Sequence, residues 1–178
     1  VYKRQTSPWY LPAMTDAASE TLSPVPPVTD WSLLLEQARA LLSVTRDPIA
    51  NAANLSALLF QELEQVNWAG FYLLRDGSLV LGPFQGLPAC VDIPLGSGVC
   101  GTAAATGEIQ RVANVHAFEG HIACDANSES EIVLPLVKHD TTSGVLDIDS
   151  PVRGRFTEAD EAALKAIVQA WLDAVDLP

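Results

Sequence analysis

Apolar residues recur at helical spacing from Trp31 to Val44. Leu34, Ala38, Leu41 and Leu42 fall on one face, and Asp30 stands where an N-cap belongs. Asp47-Pro48 starts a second helix, an N-cap followed by proline at the first helical position. It is expected to run to about Gln65 with Ile49, Ala52, Leu55, Leu59 and Leu63 toward the core. The period then changes. Asn67 to Leu74 is aromatic and apolar, Asp76-Gly77 signals a hairpin, and Leu79 to Phe84 returns as a second strand. Gly82, Pro83, Gly86 and Pro88 are expected to break that strand into a loop carrying Cys90.

Gly96-Ser97-Gly98-Val99-Cys100-Gly101 matches GxGxxG by letter. The strand before it is short and ends in Pro94, and the helix after it is closed by Gly107, so no βαβ unit of about 30 residues follows. It reads as a glycine-rich entry to a short helix. Ile109 to Val112 is a short strand, and Asn114 to Ser130 a long polar loop, a length that in small domains usually serves function. Ile132 to Val137 is a strand in which Pro135 implies an edge or a bulge. His139 to Ser143 turns the chain into a strand over Gly144 to Ser150. Thr157 and Asp160 form a capping-box pattern, and Leu164, Ile167, Val168, Trp171, Leu172 and Val175 line one face of the closing helix. The order predicts an α+β fold: an antiparallel sheet with helices packed on one face and loops closing a pocket on the other. No internal repeat is present.

The 178 residues suit one domain over residues 31–178. Residues 1–30, with Pro8, Pro12, Pro24, Pro26 and Pro27 and no period, read as a disordered or loosely attached tail. Met14, the one methionine, is the expected natural start, and nothing reads as a signal peptide. A net charge of -12 argues against nucleic acid and anionic membranes, whose phosphates would be repelled. No apolar run reaches the roughly 18 residues that span a bilayer. Three cysteines, Cys90, Cys100 and Cys124, fit a cytoplasmic protein with a useful thiol better than a secreted disulfide framework.

In Val145-Leu146-Asp147-Ile148-Asp149, strand alternation puts Asp147 and Asp149 on one face, with Cα atoms roughly 6–7 Å apart. Like charges that close raise at least one pKa. Such a pair binds a cation, an ammonium group or a metal, or holds a proton for acid catalysis; a solvated polar face stays open beside these. Glu131 heads the neighbouring strand and reaches the same face if the two strands pair. Gly120-His121-Ile122-Ala123-Cys124-Asp125 sets a cysteine near a histidine in a polar loop, where an imidazolium would lower the thiol pKa. A packed thiol with His121 as a loop hydrogen-bond donor is the plainer alternative. Cys100 falls in the first turn of the short helix, where the dipole could lower its pKa, although its small apolar neighbours point to packing. His121, Cys124, Asp147 and Asp149 lack metal-site spacing, and no GxSxG elbow exists for a serine hydrolase. If the loops carrying Cys90 and Cys124 cover one sheet face, the two thiols can act as nucleophile and resolving cysteine of a thiol-dependent reductase.

Asn67-Trp68-Ala69-Gly70-Phe71-Tyr72, Leu81-Gly82-Pro83-Phe84-Gln85-Gly86, Pro88-Ala89-Cys90 and Gly98-Val99-Cys100-Gly101 stand in order. Gly120-His121-Ile122-Ala123-Cys124-Asp125, Ser130-Glu131-Ile132-Val133 and Gly144-Val145-Leu146-Asp147-Ile148-Asp149-Ser150 follow. Over about residues 31–175 this run resembles the free methionine-(R)-sulfoxide reductases, a GAF-fold family. The resemblance implies a GAF domain that reduces free L-methionine (R)-sulfoxide, holds no bound cofactor and no metal, and is recycled by thioredoxin. It implies Cys124 as nucleophile, Cys90 as resolving thiol and Cys100 as an auxiliary thiol. Glu131, Asp147 and Asp149 become acids of the site, with Glu131 and Asp149 assigned to catalysis and Asp147 to substrate binding. Trp68 and Tyr72 border the substrate methyl group, and His121 shapes the loop or tunes the thiol. Where the family reads Asp-Val-His, this chain reads Asn114-Val115-His116, so a substrate-binding Asn114 would keep an acceptor and lose a charge. A non-catalytic GAF module that binds a small ligand or senses oxidation is the alternative, and a homodimer is left open.

Overall fold

Two helices open the fold, and side-chain caps start both. In the computed structural model, which describes residues 29–120 and 126–177, α1 (Trp31–Leu42) is capped by Asp30, whose carboxylate accepts the Leu33 N–H at 3.1 Å. α2 (Pro48–Glu62) starts at Asp47, which accepts the Ala50 N–H at 2.8 Å. Leu34, Ala38, Leu42, Ala52, Leu55, Leu59 and Leu63 are buried as expected. Ile49 corrects the reading: it is 42% exposed. Asn51 takes the inward place in that turn and donates to the Leu42 and Thr45 carbonyls, tying down the α1–α2 connection. The expected tail over residues 1–30 lies, apart from Thr29 and Asp30, outside the described residues.

Six strands follow: β1 (Trp68–Arg75), β2 (Ser78–Gly86), β3 (Asp92–Pro94), β4 (Gln110–Val112), β5 (Ser130–Lys138) and β6 (Thr141–Ser150). They form one antiparallel sheet in the order β3-β2-β1-β6-β5-β4. Asp76 and Gly77 make the β1–β2 turn at φ 50 and 85, the left-handed values a two-residue hairpin needs. His139 and Asp140 do the same between β5 and β6 without glycine, so the turn expected over His139 to Ser143 is only two residues long.

β2 does not break at Gly82-Pro83. The register runs Gly70↔Phe84 and then Tyr72↔Leu81, so Gly82 and Pro83 together oppose Phe71. That is a bulge, where proline is tolerated because no ladder hydrogen bond is lost. Gly82 is needed there, since a Cβ would come within 2.8 Å of the Phe71 carbonyl oxygen. Pro135 meets both expectations for it. β4 pairs only with Glu131 to Val133, which leaves Pro135 at an edge, and the register shifts just after it.

α1, α2 and α4 (Glu158–Ala174) cover one face of the sheet, against Ala69, Phe71, Ile132, Leu134, Leu136, Leu146 and Ile148. The capping box forms at α4: the Thr157 side chain accepts from Asp160 N–H while the Asp160 carboxylate accepts from Thr157 N–H. α3 (Gly98–Thr106) departs from the expected segregation of helices and packs on the opposite face with Trp68, Tyr72, Val133 and Val145. Its buried residues, among them Val99, Cys100, Ala103 and Ala104, are small, so it sits close to the sheet. β3 and β4, which flank α3 in sequence, lie at opposite sheet edges, so no βαβ unit exists around the GxGxxG letters. Among the described residues no helix is long and apolar enough to cross a membrane.

The β1–β6 pairing joins the two hairpins, and Gly144 lies within it. A Cβ at Gly144 would run into the Tyr72 carbonyl and crowd the Leu73 Cα at 3.0 Å. Gly144→Ala is therefore expected to lower unfolding stability by about 2–3 kcal/mol, read by urea denaturation.

Candidate active site

Register decides which side chains meet. Across β5, β6 and β1, Glu131 stands opposite Asp149 and Asp149 opposite Trp68; in the next row come Val133, Asp147 and Gly70. Glu131, Asp147 and Asp149 therefore share the sheet face of Trp68 and Tyr72, the face that α3 covers. Leu146 and Ile148 point to the other core, as strand alternation predicted. Gly70 leaves room for the aromatic wall, because a Cβ there would strike Phe84 and approach the Trp68 ring at 2.7 Å. Trp68 stacks between Tyr72 and Phe84, with ring centroids 5.7 and 5.3 Å away.

α3 brings Cys100 onto the acids. Its thiol donates to Glu131 Oε1 at 3.7 Å. The Cys100 sulfur and one oxygen each of Glu131 and Asp147 lie within 4.8 Å of one another. The three residues are 5, 6 and 6% exposed. Burial pushes the Cys100 thiol well above its ordinary value, and the charges of Asp147 and Glu131 add to that. The packed reading of this thiol holds, and the dipole of the helix N-terminus does not activate it: desolvation and two neighbouring acids outweigh the dipole. Glu131 is also raised well above the usual carboxyl range, by burial first and then by Asp147 and Asp149. Burial pushes Asp147 up to about 6, opposed by hydrogen bonds from Cys100, Glu131 and the Ile148 backbone. Both carboxyls are therefore harder to ionise than a solvent-exposed acid, with burial the first cause in each. Asp147 Oδ1 is buried with no hydrogen-bond partner among the described residues.

The same trio has the spacing to hold a cation. It is not the set the sequence suggested, and a metal would have to displace the protons of both Cys100 and Glu131, since ligands bind deprotonated. Tyr72 is buried, and its phenol is held protonated by burial and by the negative groups around it, Asp147 first. Its hydroxyl donates to the Cys90 carbonyl at 3.0 Å. Cys90 is half-buried and disulfide-bonded, whereas Cys100 is a free thiol. Asn114 caps the 3₁₀ turn Val115–Ala117, its Oδ1 accepting the His116 N–H at 3.2 Å. His121 and Cys124 lie outside the described residues. Two contributors were not legible beforehand. Asn67 Nδ2 donates to the buried Ser128 at 3.1 Å, and the Glu129 N–H reaches the Ser150 carbonyl at 2.8 Å. Together they anchor the loop that returns to β5, and only their polarity in the sequence hinted at it.

Comparison with known proteins decides the family. The GAF domain model matches residues 50–176. The free methionine-R-sulfoxide reductase of Escherichia coli is 60% identical over 129 residues, 72% of this chain and 78% of that protein. The chain belongs to the free methionine-(R)-sulfoxide reductase family of GAF domains. Solved members superpose closely. The fRMsr of Staphylococcus aureus in complex with substrate gives a TM-score of 0.81 at 51% identity, covering 84% of this chain and 98% of that one. The free methionine-R-sulfoxide reductase from Neisseria meningitidis in complex with its substrate gives 0.79 at 36%, covering 91 and 94%. The expected GAF fold is thus present, with α3 on the sheet face that carries the acids.

Because Asp147 is harder to ionise in the fold than in the unfolded chain, its ionisation costs stability. The associated stability is full below about pH 4 and is lost as pH rises through about 6. Asp147→Asn is expected to melt higher than wild type at pH 7, by on the order of 1–3 kcal/mol. The difference should vanish below pH 4, and thermal unfolding across that range measures it.

Proposed function

We propose that this family member reduces free L-methionine (R)-sulfoxide to L-methionine. The observation that carries the reading is the buried pair on the sheet face: Glu131, which burial helps keep protonated, beside Asp147, whose Oδ1 has no donor among the described residues, under a Trp68–Tyr72 wall. A zwitterionic sulfoxide offers a match for each part. Its ammonium can donate to Asp147, its methyl can lie on the aromatic rings, and its sulfinyl oxygen can accept the Glu131 proton. The relatives named for this activity, two of them solved with their substrate, support the choice.

Glu131 protonates the sulfoxide oxygen and makes sulfur electrophilic. The Cys124 thiolate attacks, the oxygen passes to the cysteine, and methionine leaves with sulfur reduced by two electrons; a cysteine sulfenic acid remains. The Cys90 thiol then forms the S–S bond and releases water. A thioredoxin-type dithiol takes the disulfide back to two thiols and is itself oxidised. The family resemblance gives Cys124 the nucleophilic role and Cys90 the resolving one; the disulfide on Cys90 and the buried, protonated free thiol of Cys100 support leaving Cys100 outside the redox cycle. Asp149, cross-strand from both Glu131 and Trp68, helps hold the proton on Glu131. Asn114 shapes its turn and borders the substrate's charged end, and His121 tunes the thiol from its loop. No cofactor or metal enters these steps. The reading carries with it a cytoplasmic setting, where a dithiol reductant is at hand.

The test is NADPH consumption with thioredoxin and thioredoxin reductase on the free R and S epimers side by side. Turnover of the R epimer alone, unaffected by chelators, is expected. Wild-type protein inert toward both epimers would leave the non-catalytic GAF reading in place. Cys124→Ser should abolish turnover. Cys90→Ser should release about one methionine per enzyme and then stop. Glu131→Gln, which keeps the shape and loses the proton, should cut the first turnover by about 10²–10³-fold.

A further inference from the structure

The connection between β2 and β3, residues 87–91, carries Cys90 across the end of the aromatic wall. Its ends are open, Leu87 56% and Val91 68% exposed, while Ala89 and Cys90 pack in part against the aromatic core. Among the described residues three hydrogen bonds also hold its backbone. Val91 O accepts the Leu81 N–H at 2.9 Å, an ordinary extension of the sheet. The other two come from side chains of a neighbouring strand. Trp68 Nε1 donates to Leu87 O at 3.2 Å and Tyr72 Oη to Cys90 O at 3.0 Å. Trp68 and Tyr72 are four residues apart on one face of β1, so their rings lie side by side and their polar tips reach the two ends of this segment. Both rings are buried and stacked, which removes most of their own freedom to move.

We infer that Trp68 and Tyr72 are positioning residues for Cys90: their indole and phenol donors latch the 87–91 segment in the place where Cys90 forms its disulfide. This rests on the resolving role given to Cys90 above. A wall for a substrate methyl group needs only rings, and phenylalanine would supply one. The donors are what the loop uses. Tyr72 remains a donor throughout the working pH range, because its surroundings oppose ionisation. The Cys90 carbonyl sits one bond from the Cα that bears the thiol, so losing its anchor widens the positions the sulfur samples. Disulfide closure tolerates only a narrow Cα separation and dihedral range, so a loosened loop closes more slowly.

The test follows the step that joins the thiols. Fully reduced protein receives one equivalent of hydrogen peroxide, which converts the nucleophilic thiolate to a sulfenic acid and is itself reduced to hydroxide. The sulfenic acid and the Cys90 thiol then lose one water as the S–S bond forms. The rate is read as the decay of dimedone-reactive protein together with entry of Cys90 into a disulfide by peptide mapping. Tyr72→Phe and Trp68→Phe should each slow that step about fivefold, the order expected for loss of one hydrogen bond. The double variant should slow it more than either. In single turnover with methionine sulfoxide, each variant should slow the disulfide step several-fold more than it slows methionine release. Disulfide formation at the wild-type rate in both single variants would overturn the latch. So would equal slowing of both steps, which would mark the two residues as pocket wall alone. The peroxide experiment needs no sulfoxide, so a latch effect in a protein that releases no methionine would sink the reductase reading and leave the latch standing.

Discussion

Two carboxyl groups and a thiol buried within 4.8 Å of one another on a single sheet face are the constraint to which much of the molecule answers. Two ionised carboxylates in such a place would cost several kcal/mol each, and burial makes both harder to ionise. Cys100 donates to Glu131 from α3. Asp147 Oδ1 is left without a partner among the described residues. A buried acceptor in that state is held against its own preference, and other parts of the fold must supply the stability. The opposite sheet face does so. Phe71, Leu134, Leu136, Leu146 and Ile148 are fully buried there against α1, α2 and α4. The sheet thus separates a stabilising core from a strained site, with alternate residues of the same strands serving each.

The same economy applies to α3. It is too short and too rich in small residues to be a strong core helix. Its size lets it sit close to β5 and β6 and deliver Cys100 to the acids. A thiol suits that position because it donates weakly, fills apolar space and resists ionisation there. Cys90, by contrast, rides on a connection held by two aromatic side chains. Rigid strand residues hold the acids and rings.

The sequence by itself determined the helices, the two hairpins and the facing of Asp147 and Asp149, because caps, left-handed turns and period-two alternation act over a few residues. It also placed Pro135 and dismissed the glycine-rich letters. What it misjudged depends on partners in other elements of the fold. Gly82 and Pro83 read as breakers, yet opposite Phe71 they form a bulge that continues β2. Ile49 reads as core, yet Asn51 occupies the inward place because the α1–α2 connection has carbonyls to satisfy. Only the tertiary structure decided that Glu131 faces Asp149 and that α3 crosses to the acidic face. It alone let Cys100 touch Glu131, and it turned Trp68 and Tyr72 into donors to the Cys90 loop. Register and helix placement are set by the summed packing of distant segments, and no local pattern carries that information.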